Sequence, residues 1–295
     1  MRSLQQLALV GAGGVLGAIV RWGIITTPDR ALLADAISIP TLAVNVVGCL
    51  LLGMLLANPL PEQAHWFLAA GFGASVTTMS TFAVELVDGL NSNVLGTIAY
   101  AVLSLGAGFA GYEVAARARM AEPETTEQRI FQAIGLSISV SLGLVIVNGL
   151  FGAFNALFDE SFFVALVFPV AAFGGAALRG LLTGLDKSLN RQAVAVLAIN
   201  TFGAFLLGAL TGAADINVLT GTSLAVEGAD PTSSFSAAVI LVWGTAALGS
   251  FTTFSTLISQ ASQLVADAQR KLAGQLIAAT VVLSVVAAAI GRLIT

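Results

Sequence analysis

Long apolar runs constrain this chain more than any other feature of it. A helix crossing the hydrocarbon of a bilayer needs about 20 apolar residues, with a range of roughly 17–25. Runs of this kind lie at Leu4–Ile24, Thr41–Ala57, Trp66–Val87, Val94–Ala116, Ile130–Phe158, Phe162–Leu182, Ala193–Ala213, Ser236–Leu264 and Leu272–Ile294. Only 9% of the 295 residues are charged, against about 25% in a soluble domain. Backbone in hydrocarbon must satisfy its own polar groups, so each run is expected to be helical. The predicted fold is an all-α integral membrane protein with nine transmembrane helices in a lipid bilayer. The first run continues past its glycines to Arg21, which reads as a span rather than a cleaved leader.

The same composition excludes several functions. No basic stripe is present to hold nucleic acid, and the net charge of −4 comes from few groups. Cys49 is the one cysteine, and its apolar surroundings make it a small packing residue. His65, also alone, lies beside Trp66 and reads as part of an interfacial loop. "GAGGVLG" at Gly11–Gly17 shares letters with a dinucleotide-binding loop but follows no strand, so it is expected to pack helices. With no metal-ligand cluster, nucleophile elbow or phosphate loop, the chain is not expected to be an enzyme.

Punctuation supports the segmentation. Pro28, Pro40, Pro59, Pro61, Pro123 and Pro231 are expected in gaps, where a missing amide is harmless. Pro169 lies about two turns into the sixth run, so that helix is expected to kink there or to start later. Glu113–Arg129 is the most polar segment and reads as a linker; a second long gap spans Asp215–Ser234. With the N-terminus cytoplasmic, nine of the 12 Lys and Arg fall on that side, and Arg21, Arg30 and Arg292 on the other. The positive-inside rule then puts the N-terminus inside and the C-terminus outside.

The two halves repeat one another. "GAIVRW" at Gly17–Trp22 matches "GAALRG" at Gly175–Gly180, aligning Arg21 with Arg179. "LAVNVVGCLLLGML" at Leu42–Leu55 matches "LAINTFGAFLLGAL" at Leu197–Leu210, aligning Asn45 with Asn200. "ASVTTMSTF" at Ala74–Phe82 matches "GSFTTFSTL" at Gly249–Leu257, and "LSLGAGFAG" at Leu103–Gly111 matches "LSVVAAAIG" at Leu283–Gly291. Residues 1–120 thus form a first four-helix repeat, 121–160 a polar linker with an inverting helix, and 161–295 a second repeat. Four spans return the chain to its starting side; the fifth therefore turns the second copy over. This 4+1+4 inverted arrangement commonly places an ion or substrate site near the midplane.

The repeated polar residues suggest what such a site contains. A lone Ser or Thr can bond back to its own helix, but an Asn amide cannot be satisfied that way. Asn45 and Asn200 are therefore either inter-helix clamps or pore donors. Tyr100 and Ser104 stand four apart on one helix face, as do Thr280 and Ser284, forming ladders of neutral hydroxyls. Such donors hold an anion without trapping it. Glu85 is the one carboxylate well inside a repeat, and its counterpart is Gln260; that asymmetry counts against a proton-coupled cycle. The Thr pairs near Gly249 and in the matching copy favour helix breaks, whose carbonyls a monovalent cation would satisfy.

In these ordered motifs the chain resembles the Fluc or CrcB fluoride channel family. The pieces are "GGVLGAIVRW", "TLAVNVVGCLLLG" and "ASVTTMSTFAVE" in one copy, with "GGAALRG", "LAINTFGAFLLG" and "GSFTTFSTLISQ" in the other. The layout is similar to the fused fluoride exporters known as FEX. The resemblance implies a plasma-membrane channel, self-sufficient as a single-chain pseudo-dimer, that passively exports cytoplasmic fluoride. It also implies a structural, non-transported sodium ion on backbone carbonyls of Ala74, Thr77, Gly249 and Thr252. Asn45, Asn200, Thr81, Thr256, Tyr100, Ser104, Thr280 and Ser284 map onto pore-lining positions, and Arg21 and Arg179 onto structural or vestibule positions.

The departures are informative. The family places two phenylalanines in its third helix, and each pore takes one from each unit. Here the first copy has Met79 and Phe82, the second Phe254 and Leu257. Crossing them predicts one working pore with Phe82 and Phe254, and one vestigial pore with Met79 and Leu257. The runner-up reading is an inverted-repeat secondary transporter for another small solute.

Overall fold

The computed structural model describes residues 4–25, 32–33, 37–57, 60–117, 146–147, 162–184, 189–213 and 240–295. Among them are eight helices long and apolar enough to cross a membrane. They are α1 (Leu4–Ile25), α2 (Ile39–Leu56), α3 (Glu62–Ser92), α4 (Val94–Arg117), α5 (Phe162–Thr183), α6 (Leu189–Ala213), α7 (Ile240–Ala266) and α8 (Arg270–Leu293). The expected fifth run, Ile130–Phe158, and the gap at Asp215–Ser234 lie outside the described residues, save for 146–147. Among the described residues the strand content is a two-residue antiparallel ladder, β1 (Leu32–Leu33) with β2 (Ile37–Ser38).

Several boundaries correct the sequence reading. Pro40 lies in the first turn of α2 rather than in a gap, where its missing N–H has no partner to lose. α5 starts at Phe162 and continues through Pro169. Glu113–Arg117, expected in the linker, extends α4, and Glu113 pairs with Arg117 at 2.6 Å. His65 is not in a loop. It opens a π-helical stretch, His65–Gly73, inside α3 and stacks edge-on against Trp66.

Little hydrophobic force drives helices together in lipid, so close approach at small residues does that work. The glycines of α1 do so: a side chain at Gly13 or Gly17 would strike the backbone of α3, and one at Gly14 would strike Ala176 of α5. α1 and α5, equivalent in the repeat, pack on each other. Trp22 meets Phe168 with ring centroids 5.1 Å apart, Gly14 meets Ala176, and Val10 meets Gly180. As one residue number falls the other rises, so the two helices run antiparallel.

α3 and α7 lie at the centre. Some 72% of each apolar window is buried, against 22% for α4 and 28% for α8. Each breaks once, and the part beyond the break crosses into the other half. Met79–Ser92 packs on α6 and α8, and Phe254–Ala266 packs on α2 and α4. Exposed Leu95, Val102, Val194, Phe202, Val282 and Ile290 give α4, α6 and α8 an apolar outer surface, as a lipid-facing helix requires.

Candidate functional site

The Thr-Thr pairs produce the expected breaks. Thr77 and Thr78 are extended (φ −89°, ψ 160°; φ −142°, ψ 129°), as are Thr252 and Thr253 (φ −85°, ψ 158°; φ −152°, ψ 125°). A helix end leaves carbonyls without partners, and a helix start leaves N–H groups. Here these groups are buried, so each needs a named partner. The second Thr of each pair caps the helix that follows: Thr78 Oγ1 accepts from Thr81 N at 3.3 Å, and Thr253 Oγ1 from Thr256 N at 3.2 Å. The same Oγ1 atoms bond the Thr81 and Thr256 hydroxyls at 3.0 and 2.9 Å.

Asn45 and Asn200 clamp the breaks. Asn45 accepts from Thr78 N at 3.0 Å and donates to Thr78 O at 3.3 Å. Asn200 accepts from Thr253 N at 2.9 Å and donates to Thr253 O at 3.0 Å. Each amide replaces the ladder that the extended residue has lost. Both asparagines are fully buried.

The first Thr of each pair reaches across to the other half. Thr77 Oγ1 accepts from Phe254 N and Ser255 N, both at 3.1 Å. Thr252 Oγ1 accepts from Ser80 N at 3.3 Å and meets Ser80 Oγ at 3.0 Å. Each break thus caps the helix that starts at the other. The methyl groups of Thr77 and Thr252 rest on Gly48 and Gly203, where any larger residue would collide.

Arg21 and Arg179 close the site. Both are buried, and both use one frame: Arg21 donates to Ser75 O and Thr245 O, Arg179 to Ser250 O and Ala70 O. These carbonyls are equivalent pairs from the two copies. Ala70 and Thr245 lie within the π-helical stretches His65–Gly73 and Ile240–Leu248, and Ser75 and Ser250 just beyond them, where wider winding changes which carbonyls pair within the helix. The remaining bonds differ. Arg179 adds Ser75 Oγ at 3.1 Å and Gly71 O at 3.4 Å, whereas Arg21 adds Gly249 O at 2.9 Å and Thr77 O at 3.3 Å.

Those last two oxygens belong to the four that the resemblance implies for sodium. A third, Ala74 O, accepts from Thr77 Oγ1 at 3.2 Å. The set therefore does not fit a metal ion in this arrangement, because a guanidinium already uses two of its members.

The aromatic pair is brought together. Phe82 and Phe254 meet edge-to-face with centroids 5.5 Å apart, and Phe82 meets Tyr100 the same way at 5.3 Å. Met79 and Leu257 are not joined in this manner: Met79 packs in the cluster of Phe82 and Phe254, Leu257 in one with Val196 and Ala261. Of the hydroxyl ladders, Tyr100 donates to Glu85 Oε2 at 2.7 Å, and Thr280 bonds back to Leu276 O at 2.7 Å. The buried oxygens of Ser104 and Ser284 have no hydrogen-bond partner among the described residues.

Sequence reasoning missed three features. Thr41 donates to Glu85 Oε1 at 2.6 Å, so the carboxylate is held from two helices; its lack of a counterpart in the second copy was the available signal. Asp88 is a second buried carboxylate, paired with Arg292 from the other copy. The paired π-helices carry no signature in residue periodicity.

Comparison with known proteins follows this duplication. A family model described as "CrcB-like protein, Camphor Resistance (CrcB)" matches residues 8–116 and again residues 165–292. "Fluoride-specific ion channel FluC 2" of Rhodococcus jostii (strain RHA1) is 41% identical over 107 residues, covering 36% of this chain and 91% of that protein. "Fluoride-specific ion channel FluC" of Pasteurella multocida (strain Pm70) is 39% identical over 93 residues, 29% of this chain and 70% of that protein. "Fluoride-specific ion channel FluC 2" of Synechococcus sp. (strain CC9605) is 36% identical over 125 residues, 41% of this chain and 88% of that protein. No solved structure matches the chain.

Proposed function

The chain belongs to the CrcB-like family, and on that premise we propose that it is a fluoride channel in which one of two pores conducts. The observation that carries the reading is the match of both halves to that family, with relatives named as fluoride-specific channels. Passive exit suffices for the task. Neutral HF crosses lipid and ionises in the cytoplasm, and the anion then needs a route out.

The working route runs past Phe82 and Phe254. Ring edges carry the positive end of the aromatic quadrupole and meet an anion without the hold of a full charge. Asn45, Thr81, Asn200 and Thr256, which hold or follow the breaks that start these helices, and Tyr100 and Ser104 are assigned to this route, with the Tyr100 hydroxyl already donated to Glu85 Oε2. Support comes from the edge-to-face contact of the two rings. The vestigial route has Met79, Leu257, Thr280 and Ser284, with aliphatic side chains in place of rings. The antiparallel run of α1 and α5 supports inverted repeats in a nine-helix, 4+1+4 chain that needs no second copy. We place it in the plasma membrane with the N-terminus inside and the C-terminus outside, which impermeant labelling of the termini tests.

Fluoride efflux from liposomes, with chloride as control, tests the whole. Phe82→Ile and Phe254→Ile are each expected to lower flux at least tenfold, while Leu257→Ala, in a separate cluster from the rings, leaves it intact. Flux that survives both Phe changes and is lost with Leu257→Ala reverses the pore assignment. Saturable flux that needs a second ion gradient makes the chain a transporter.

A further inference from the structure

Arg21 and Arg179 share a frame and then diverge, and the divergence coincides with a sequence difference between the copies. Arg21 lies over the second break: a Cβ at Gly249 would come within 2.5 Å of its Nη2 and 2.8 Å of its Cζ. The equivalent residue of the first break is Ala74, which carries that methyl group. Among the described residues Arg179 donates to neither Ala74 O nor Thr252 O and turns instead to Gly71 O and Ser75 Oγ.

Electrostatics favour a cation there. The segments Ala74–Val76 and Gly249–Phe251 end the first parts of α3 and α7, and helix C-termini present partial negative charge and free carbonyls. A buried positive charge is tolerated where it is fully hydrogen-bonded. Arg21 donates to four carbonyls, two from each copy: Ser75 and Thr77, with Thr245 and Gly249. A second monovalent cation on Thr77 O and Gly249 O would meet a like charge in contact with the same oxygens.

We infer that Arg21 is the built-in cation of the double break, standing in the place of a metal ion and tying the two copies together without one. Gly249 makes room for it, and Ala74 excludes its twin. The inference concerns the junction and holds whichever ion permeates.

The test uses the full chain, purified in detergent. Its melting temperature is compared in sodium buffer and in N-methylglucamine buffer of equal ionic strength. A ligand that binds only the folded state raises the melting temperature with its concentration. The wild type is expected to show no difference, whereas Arg21→Ala, Arg21→Gln and Gly249→Ala, which uncover the carbonyls, gain a saturable rise with sodium. A saturable rise in the wild type overturns the inference, as does the absence of any response in the variants. Where no variant folds, the wild type decides alone. Liposome efflux separates this result from the channel reading: absent fluoride flux refutes the channel and leaves the melting comparison unaffected.

Discussion

Replacing Asn200 removes the two hydrogen bonds by which its side chain holds Thr253 at the break. Its amide pairs both backbone groups of Thr253, at 2.9 and 3.0 Å, and both residues are fully buried. Truncation strands one N–H and one C=O, each at about 1–3 kcal/mol when buried, or about 2–6 kcal/mol together. Side-chain bonds within membranes average only about 0.6 kcal/mol because the unfolded state finds other partners, which sets a floor of roughly 1.2 kcal/mol. Asn200→Leu keeps the branched shape at a somewhat greater volume and loses both bonds, so it separates the bonds from the cavity that Ala leaves. Unfolding by SDS titration in mixed micelles is the assay, and we expect a loss of about 2 kcal/mol or more. Asn45→Leu is expected to lose slightly less, since its donated bond is longer at 3.3 Å. A loss under about 0.5 kcal/mol, the range of an ordinary surface change, refutes the clamp.

Two further predictions follow from contacts between elements. Gly48→Ala and Gly203→Ala each drive a methyl group into a buried threonine methyl at a break; overpacking of this kind costs about 1–3 kcal/mol, and the same micelle titration is expected to show similar losses for both. Arg292→Ala removes the ion pair that Asp88, whose side chain is 3% exposed, makes with the other copy. Breaking a buried pair costs about 3–5 kcal/mol, and the 22% exposure of Arg292 puts the expectation at the lower end. Asp88→Asn combined with Arg292→Gln is expected to recover most of it, and a double variant as unstable as Arg292→Ala refutes the pairing.

What was legible in the sequence was local chemistry. The Thr-Thr pairs mark breaks because β-branched residues sit poorly in helices and because a Thr hydroxyl can cap the next turn, and both causes act within a few residues. The glycines of α1 and α2 mark close approach for the same reason. What stayed hidden depends on which copy faces which. That Thr77 caps Phe254, or that Arg292 meets Asp88, follows from the crossing of the two halves, and no spacing along the chain encodes it. The differences between the copies were nonetheless the best pointers to the site. Ala74 against Gly249 decides where a guanidinium lies, Glu85 against Gln260 where a carboxylate is held, and Phe82 against Leu257 where two rings can meet. In a pair of identical chains every such substitution would occur twice and alter both halves of the seam. Joined in one chain, each position occurs once, so the sequence could give the two sides different residues while retaining the Thr pairs, Asn clamps and glycines that both sides require.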